Sequence, residues 1–417
     1  MGLLLFVRKK GSNTMTLTEL CLTLKVKSFP PELEAYYPVP AAREGELCSE
    51  ALLSRLEKDY SLFGDYYGAV AEGLRDLAND PNRRAYLDSV SLFIKDQPEE
   101  ECRKLHYPPA EESPASRMMP LLAHLPAVDS TYETMRRRGL THEEVVHHLS
   151  AYRIYLWESE NSRTGWVGIP ANISRWMIRF TKGSLFLPMG CGLNFGPREL
   201  LVGSSPYFLR HRKTGEVMPL FGDGILFHRS GLVLGSAGAT EEEGSFAALF
   251  EETEEAYVGN PTRLGLVSRN REHFPKADWQ LFAAPGDVVL TTHIFIGTDL
   301  TPERVTETLR EAKRIAKECY PEYDFKGIGS TTWLFNPLLG RLLGDTSKLA
   351  LFAGRFTRFP AKSAAKSWFA YVFPGCDPDG PIEALPDKTS LQRKLKVEMA
   401  KGVGVHEFSG LFPMSEI

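Results

Sequence analysis

Along the first 165 or so residues, apolar side chains recur every three or four positions, the period of an amphipathic helix. Ser49 stands where it can cap a helix carrying Leu52, Leu53, Leu56 and Tyr60. Asp80-Pro81 starts another, because proline at the first helical position gives up an amide that had no partner. That helix sets Leu87, Val90 and Ile94 on one face. The segment YPPAEESPAS (107–116) interrupts both helical and strand periods and reads as a linker. In LTHEE, Thr141 and Glu144 form a capping box ahead of a core-facing stripe of Val145, Leu149, Tyr152 and Leu156. From about residue 184 the grammar changes to β-rich runs separated by Gly and Pro turns: SLFLPMGCGLNF, GEVMPLFGDGILFHRSGLVLG, SFAALFEE and DWQLFAAPGDVVLTTHIFI. A helix over 302–319, a strand over 325–335, a short helix over 337–343 and two strands, KLALFAGRFTRF and SWFAYVFP, complete the pattern. The expected fold class is α+β: a helical N-terminal domain followed by a mixed β-sheet domain flanked by helices.

One strand stands apart. Over 288–296, Val289, Thr291, His293 and Phe295 share one face and Val288, Leu290, Thr292, Ile294 and Ile296 the other. Both faces are largely apolar, as in a central strand covered on both sides. The chain then turns through Gly297-Thr298-Asp299-Leu300 into a helix with Thr301 as cap and Pro302 at its first position. Val305, Leu309, Ala312, Ala316 and Cys319 give this helix a buried stripe. A helix start directly after a central strand offers unpaired amides and the positive dipole end, a natural seat for phosphate. Most such units bind nothing, so the pattern alone leaves the question open.

Charge and composition narrow the function classes. With 49 Lys and Arg against 53 Asp and Glu, the net charge of -4 supplies no basic field for nucleic acid or acidic lipid. The start, MGLLLFVRKKGSN, has a short apolar run with its charges after it, the reverse of a secretory signal, and Met15 is an alternative start. Gly2 lacks the Ser or Thr at position 6 that myristoylation requires. No stretch approaches the roughly 20 apolar residues of a membrane span. Six cysteines without a C-x-x-C pair argue against disulfides and a zinc site, and a cytoplasmic location is expected.

Two motifs imitate binding sites. GCGLNFG (190–196) has the wrong glycine spacing for a dinucleotide fingerprint, and Pro197 follows instead of a helix. HEEVVHH places its histidines at i and i+5, on different helix faces, so they cannot share a metal and are expected at the surface. No metal site is expected. A serine nucleophile elbow and a P-loop are both missing from the sequence.

The stretches PGDVVLTTHIFIGTDLTPE, STTWLFNPLLGRLL, LPDKTSLQRKL, WMIRFTKGSLFLPMG and FLRHRKTGEV resemble an acyltransferase-like bacterial family. Its members join a helical N-acyltransferase N-terminal domain to a GNAT-like (N-acetyltransferase-type) C-terminal domain, and the order of elements after 286 also matches the GNAT order. The resemblance implies domains over 16–165 and 166–417, with 288–296 as the fourth GNAT strand and 325–335 as the fifth. It further implies acyl-CoA, acetyl-CoA in the simplest case, as co-substrate and a small-molecule amine as acceptor. Phosphates would sit at the turn of Gly297, Thr298 and Thr301, and the amides around Phe295 and Ile296 would polarise the thioester carbonyl. An amine with a pKa of about 10 needs a base near neutral pH, and mid-strand His293 is the candidate. Ser330 is placed to protonate the leaving thiolate, and Trp333 to wall the pocket. Tyr152, Trp157 and Trp166 are candidates to roof the acceptor. The turn departs from the family's phosphate loop: it has one glycine and an acid, Asp299, that repels phosphate. Where the family runs Cys-x-Ser-Trp, this chain has Ser330-Thr331-Thr332-Trp333. The alternative is therefore a non-catalytic CoA- or small-molecule-binding protein on a degenerate GNAT scaffold.

Overall fold

A computed structural model describes residues 15–364, 366 and 368–417; the apolar run at the N-terminus, with Gly2, lies outside them. The local start signals form as written. Ser49 accepts the amide of Leu52 at 3.2 Å and opens the helix Glu50–Tyr60. Asp80 accepts the amide of Arg83 at 3.0 Å and opens Pro81–Asp96, whose Leu87, Val90 and Ile94 are buried. The proposed linker is partly structured: Ser113 caps a helix Pro114–Leu122.

The chain divides into two compact units. One takes in the described residues up to Glu133 together with Trp166–Lys182; the other takes in Thr134–Gly165 and Gly183–Ile417. The first unit is helical. Its fully buried His124 lies 2.8 Å from the Thr181 hydroxyl through Nδ1 and 3.0 Å from the Ser174 hydroxyl through Nε2. Burial pushes the imidazole pKa down to about 3, so the ring is neutral and each nitrogen meets a hydroxyl.

The second unit begins with α1 (His142–Leu149) and α2 (Ala151–Glu158), and α2 runs into a π-helical turn, Ser159–Arg163. The Thr141/Glu144 capping box forms. His142 is exposed, but His148 is only 1 % exposed, and His147 is half-buried with Nε2 3.1 Å from the Pro188 carbonyl. The surface expectation holds for His142 and only in part for His147, which meets the Pro188 carbonyl; His148 is buried because it lies three residues after Val145, on the same core-facing stripe.

The strands that frame the site are β1 (Leu193–Glu199), β2 (Pro206–His211), β3 (Val217–Phe221), β4 (Trp279–Ala283) and β5 (Val288–Ile294). They are followed by α3 (Pro302–Cys319), β6 (Gly327–Thr332), α4 (Pro337–Leu343), α5 (Lys348–Gly354), β7 (Thr357–Pro360) and β8 (Phe408–Pro413). A mixed sheet has the order β1-β5-β6-β8-β7, and only the β5/β6 pair is parallel. A second sheet, β4-β2-β3, supplies Phe208, Phe221 and Ala283 to a core shared with Val289, Phe359 and Leu411 of the first. On the opposite face, Phe195 stacks on Phe186, and Phe186 on Tyr320 just after α3. Central β5 is thus covered on both sides, which is why its two faces are apolar alike.

Three local expectations change. KLALFAG forms α5 rather than a strand, because Ser347 accepts the amide of Ala350 and the run has no β-branched residue. SWFAYVFP contributes the helical turn Phe369–Val372, whose aromatics join a cluster with Leu338, Leu385 and Leu395. The last strand is β8 instead, a short segment that pairs with both β6 and β7.

Candidate functional site

The β5/β6 pair is in register at Leu290↔Ile328 and Thr291↔Gly329, and the pairing goes no further. Beyond it the two strands part, while β5 stays paired to β1 as far as Leu193↔Ile294. The Ser330 hydroxyl donates to the Thr292 carbonyl across the opening at 3.0 Å and is buried. His293 lies opposite Asn194 of β1, on the face of Val289 and Thr291. Ser330 follows the register of Thr292 and so points to the other face. The structure brings these two candidates to the same opening but not to the same side. Trp333 begins a tight turn after β6 and packs, half-buried, against the cluster of Leu338 and Phe369.

After β5 the backbone is held from two directions. The Phe295 ring stands edge-on to Tyr155 with centroids 5.0 Å apart. The Ile296 amide donates to Glu158 Oε1 at 2.5 Å. Gly297 has φ +83°, where a side chain would be strained, and a methyl built on it would meet Trp157 at 3.6 Å. The Thr298 hydroxyl donates to the Phe295 carbonyl at 2.7 Å and to the Gly192 carbonyl at 3.3 Å. The GCG motif therefore serves close backbone approach: Gly192 meets Thr298, and Gly190 abuts Thr308 of α3.

Thr301 occupies the cap position of α3, yet its side chain caps nothing. Both its amide and its hydroxyl donate to Asp299, each at 3.2 Å. Asp299 also pairs with Lys348 at 3.0 Å, and that bond with the Thr301 amide holds its carboxyl below the usual range. The acid that the sequence sets against phosphate is ion-paired with a neighbour on α5. Beside Pro302 opens a cavity of about 770 Å³ lined by Arg341, Arg355 and Arg358 with Leu334, Leu339 and Leu351. Arg355 donates to the Pro302 carbonyl at 3.0 Å and the Thr306 hydroxyl at 2.8 Å. Arg358 donates to the Phe335 carbonyl at 3.4 Å, and burial lowers its pKa. A smaller cavity, about 280 Å³, lies over β5 and β6 and is lined by Arg198, Lys362 and the hydroxyl residues Thr291, Ser330, Thr331 and Ser409.

Sequence reasoning missed Glu158. Its side chain is 1 % exposed, and Oε2 accepts from Arg163 at 2.9 and 3.1 Å. Burial pushes its carboxyl up, against the pull of Arg163 and the Ile296 amide. A glutamate at a helix end reads as solvated, and nothing local marks this one as buried. The arginines of the larger cavity were missed because they come from α4, the end of α5 and β7. Among the described residues no three His, Cys, Asp or Glu side chains are grouped to hold a metal, and no helix is long and apolar enough to cross a membrane.

Residues 235–412, which include the parallel β5/β6 pair and the helix start beyond β5, match the family model of the GNAT-like C-terminal domain. Comparison with curated proteins finds no match. Among solved structures, the chain is similar to an acyltransferase in complex with decanoyl-CoA and teicoplanin, with TM-score 0.60 and 16 % identity over 95 % of this chain and 98 % of that one. It is likewise similar to an acyltransferase bound to CoA and 10C-teicoplanin, with TM-score 0.59 and 15 % identity over 95 % and 98 % of the two chains. A mutant acyltransferase with octanoyl-CoA gives TM-score 0.59 and 13 % identity over 96 % and 99 %. The chain has the fold of acyl-CoA-binding acyltransferases, with a helical region ahead of the GNAT-like domain.

Proposed function

We propose that this protein transfers an acyl group from acyl-CoA to an amine of a small-molecule acceptor. The observation that carries this reading is the cavity beside the first residue of α3, where Arg341, Arg355 and Arg358 meet apolar walls. Guanidinium groups over a helix N-terminus suit phosphates, and apolar walls suit the pantetheine that follows them. In this reading Gly297, Thr298 and Thr301 form the turn under the phosphates, and Lys348 masks Asp299. The thioester lies where β5 and β6 part.

The amine nitrogen attacks the thioester carbonyl carbon, forming the C–N bond as the C–S bond breaks. Charge developing on the carbonyl oxygen is met by the backbone amides at Phe295 and Ile296. His293 takes the amine proton, and the thiolate takes one back as CoA leaves. Ser330 can pass a proton to the thiolate, taking one from solvent in the same step, only by leaving the Thr292 carbonyl, the bond its hydroxyl now makes. Trp333, expected at the pocket wall, is in the lining of neither cavity, and in this reading the hydroxyl-lined cavity with Arg198 and Lys362 receives the acceptor. An acetyl donor is the simplest case. The solved relatives bind octanoyl- and decanoyl-CoA, which favours medium-chain donors as the second reading.

Calorimetric titration with CoA, acetyl-CoA and octanoyl-CoA at low and high salt tests the binding half. Affinity should fall with salt and drop about tenfold in Arg358→Ala, the loss expected for a charge-assisted contact. His293→Ala should then cut turnover by about 100-fold or more with binding intact. Binding without turnover on any amine panel would leave a CoA-binding protein. No binding at millimolar CoA would end the acyl-CoA reading.

A further inference from the structure

The buried Glu158 carboxylate sits on the backbone donor that an acyl-CoA thioester would need. Its Oε1 accepts from the Ile296 amide at 2.5 Å, and its Oε2 stays bound to Arg163. The rest of this segment lies along the same stretch of backbone, with Tyr155 edge-on to Phe295 and Trp157 against Gly297. An ionised carboxylate is a stronger acceptor than the neutral carbonyl of a thioester. Both cannot take one amide hydrogen. Resting on the acyl-CoA reading above, we infer that Glu158 is a specificity-determining residue: it holds the amide that the carbonyl needs and must be displaced by the thioester.

The physical case has three parts. A carboxylate buried to this degree is unfavourable unless paired and hydrogen-bonded, so the Arg163 and Ile296 contacts are what hold it there. Arg163 is a quarter exposed, which lets Oε2 remain paired while Oε1 swings off the amide. The intervening π-helical turn sets the five-residue spacing that returns Arg163 onto Glu158, and such turns recur where a helix is locally reshaped at functional sites. Free CoA has no carbonyl at this point and makes no demand on the amide. Glu158 therefore taxes thioesters and leaves free CoA and thioethers untaxed.

Three probes separate this from a merely structural brace: CoA, octyl-CoA (a thioether without the carbonyl) and octanoyl-CoA, titrated calorimetrically into wild type and Glu158→Gln. The glutamine keeps the shape but offers one neutral oxygen to two donors, the Ile296 amide and Arg163, so its hold on the amide is weaker in either orientation. Octanoyl-CoA should bind about tenfold tighter to the variant, the difference between charged and neutral hydrogen bonds, while octyl-CoA and CoA stay unchanged. As a second readout that needs no variant, the Ile296 amide resonance of the wild type should shift with octanoyl-CoA and not with octyl-CoA. Thioester and thioether affinities that move together, or an Ile296 resonance that ignores the carbonyl, would overturn the inference with CoA binding itself intact. If none of the three probes binds, the acyl-CoA reading fails first and takes this inference with it.

Discussion

Gly190→Ala should be among the most damaging single-methyl additions in the second unit. Gly190 has φ +148°, a conformation essentially reserved for glycine, and a methyl built on it would lie 2.1 Å from Thr308 Oγ1 and 3.0 Å from Thr308 Cβ. Thr308 cannot simply rotate away. It is fully buried, its hydroxyl donates to the Arg304 carbonyl at 2.7 Å, and the Cys191 amide donates to it at 3.0 Å. Backbone strain of this kind costs about 1–3 kcal/mol. Driving Thr308 off the Cys191 amide leaves a buried donor unpaired for about 1–3 kcal/mol more. The melting temperature should therefore fall by roughly 5–15 °C, read by circular dichroism. Thr308→Ala removes the oxygen that clashes, so Gly190→Ala/Thr308→Ala should be less destabilised than the two single variants summed, by about 1 kcal/mol or more. A Gly190→Ala variant that melts with the wild type, or strictly additive losses, would refute the close-approach account of the GCG motif.

Two further outcomes can be checked. His124 is neutral in the folded state, with a pKa near 3 against an ordinary 6.5, so its contribution is fully present above pH 6.5 and is lost as pH falls. Urea midpoints should register about 1.4 kcal/mol per pH unit from this site below pH 6.5, and His124→Gln should flatten that slope. Asp299→Asn removes the carboxylate at the start of α3, so CoA should bind about two- to fivefold tighter at low salt and lose most of that gain at high salt. Unchanged calorimetric affinity in that variant would remove phosphate from this helix start.

What was legible in the sequence is what short-range physics decides. Ser49, Asp80 and Thr141 each cap a helix within three residues of themselves, and α3 begins and ends where its proline and its buried stripe say. β5 was readable because seven consecutive positions pair with β1 and both faces are covered. The run KLALFAG misled because apolar content without β-branching serves helix and strand equally, and only the Ser347 cap separates them. β8 escaped because a six-residue strand paired on both sides takes its stability from neighbours far along the chain. After β5 the turn forms as read, but the side chain that engages its backbone was not foreseen. Glu158 reaches Ile296 across 138 positions, and no periodicity encodes that distance.

The same limit explains why the turn after β5 looked unfit for phosphate. A glycine-rich loop concentrates its donors within a few consecutive residues, so it can be read as a motif. In this chain the loop is poor, and its only acid is held by Lys348, 49 positions away. Positive charge comes instead from Arg341, Arg355 and Arg358, on three separate elements that meet only in the fold. Guanidinium groups delivered this way need no glycine, because their long side chains, not the backbone, make the approach. On the acyl-CoA reading proposed above, the backbone amides freed of the phosphate task would be left to the acyl end, where the Ile296 amide is already engaged by Glu158. A degenerate loop is thus weak evidence against CoA binding, since charge supplied from α4, α5 and β7 would replace what the loop lost.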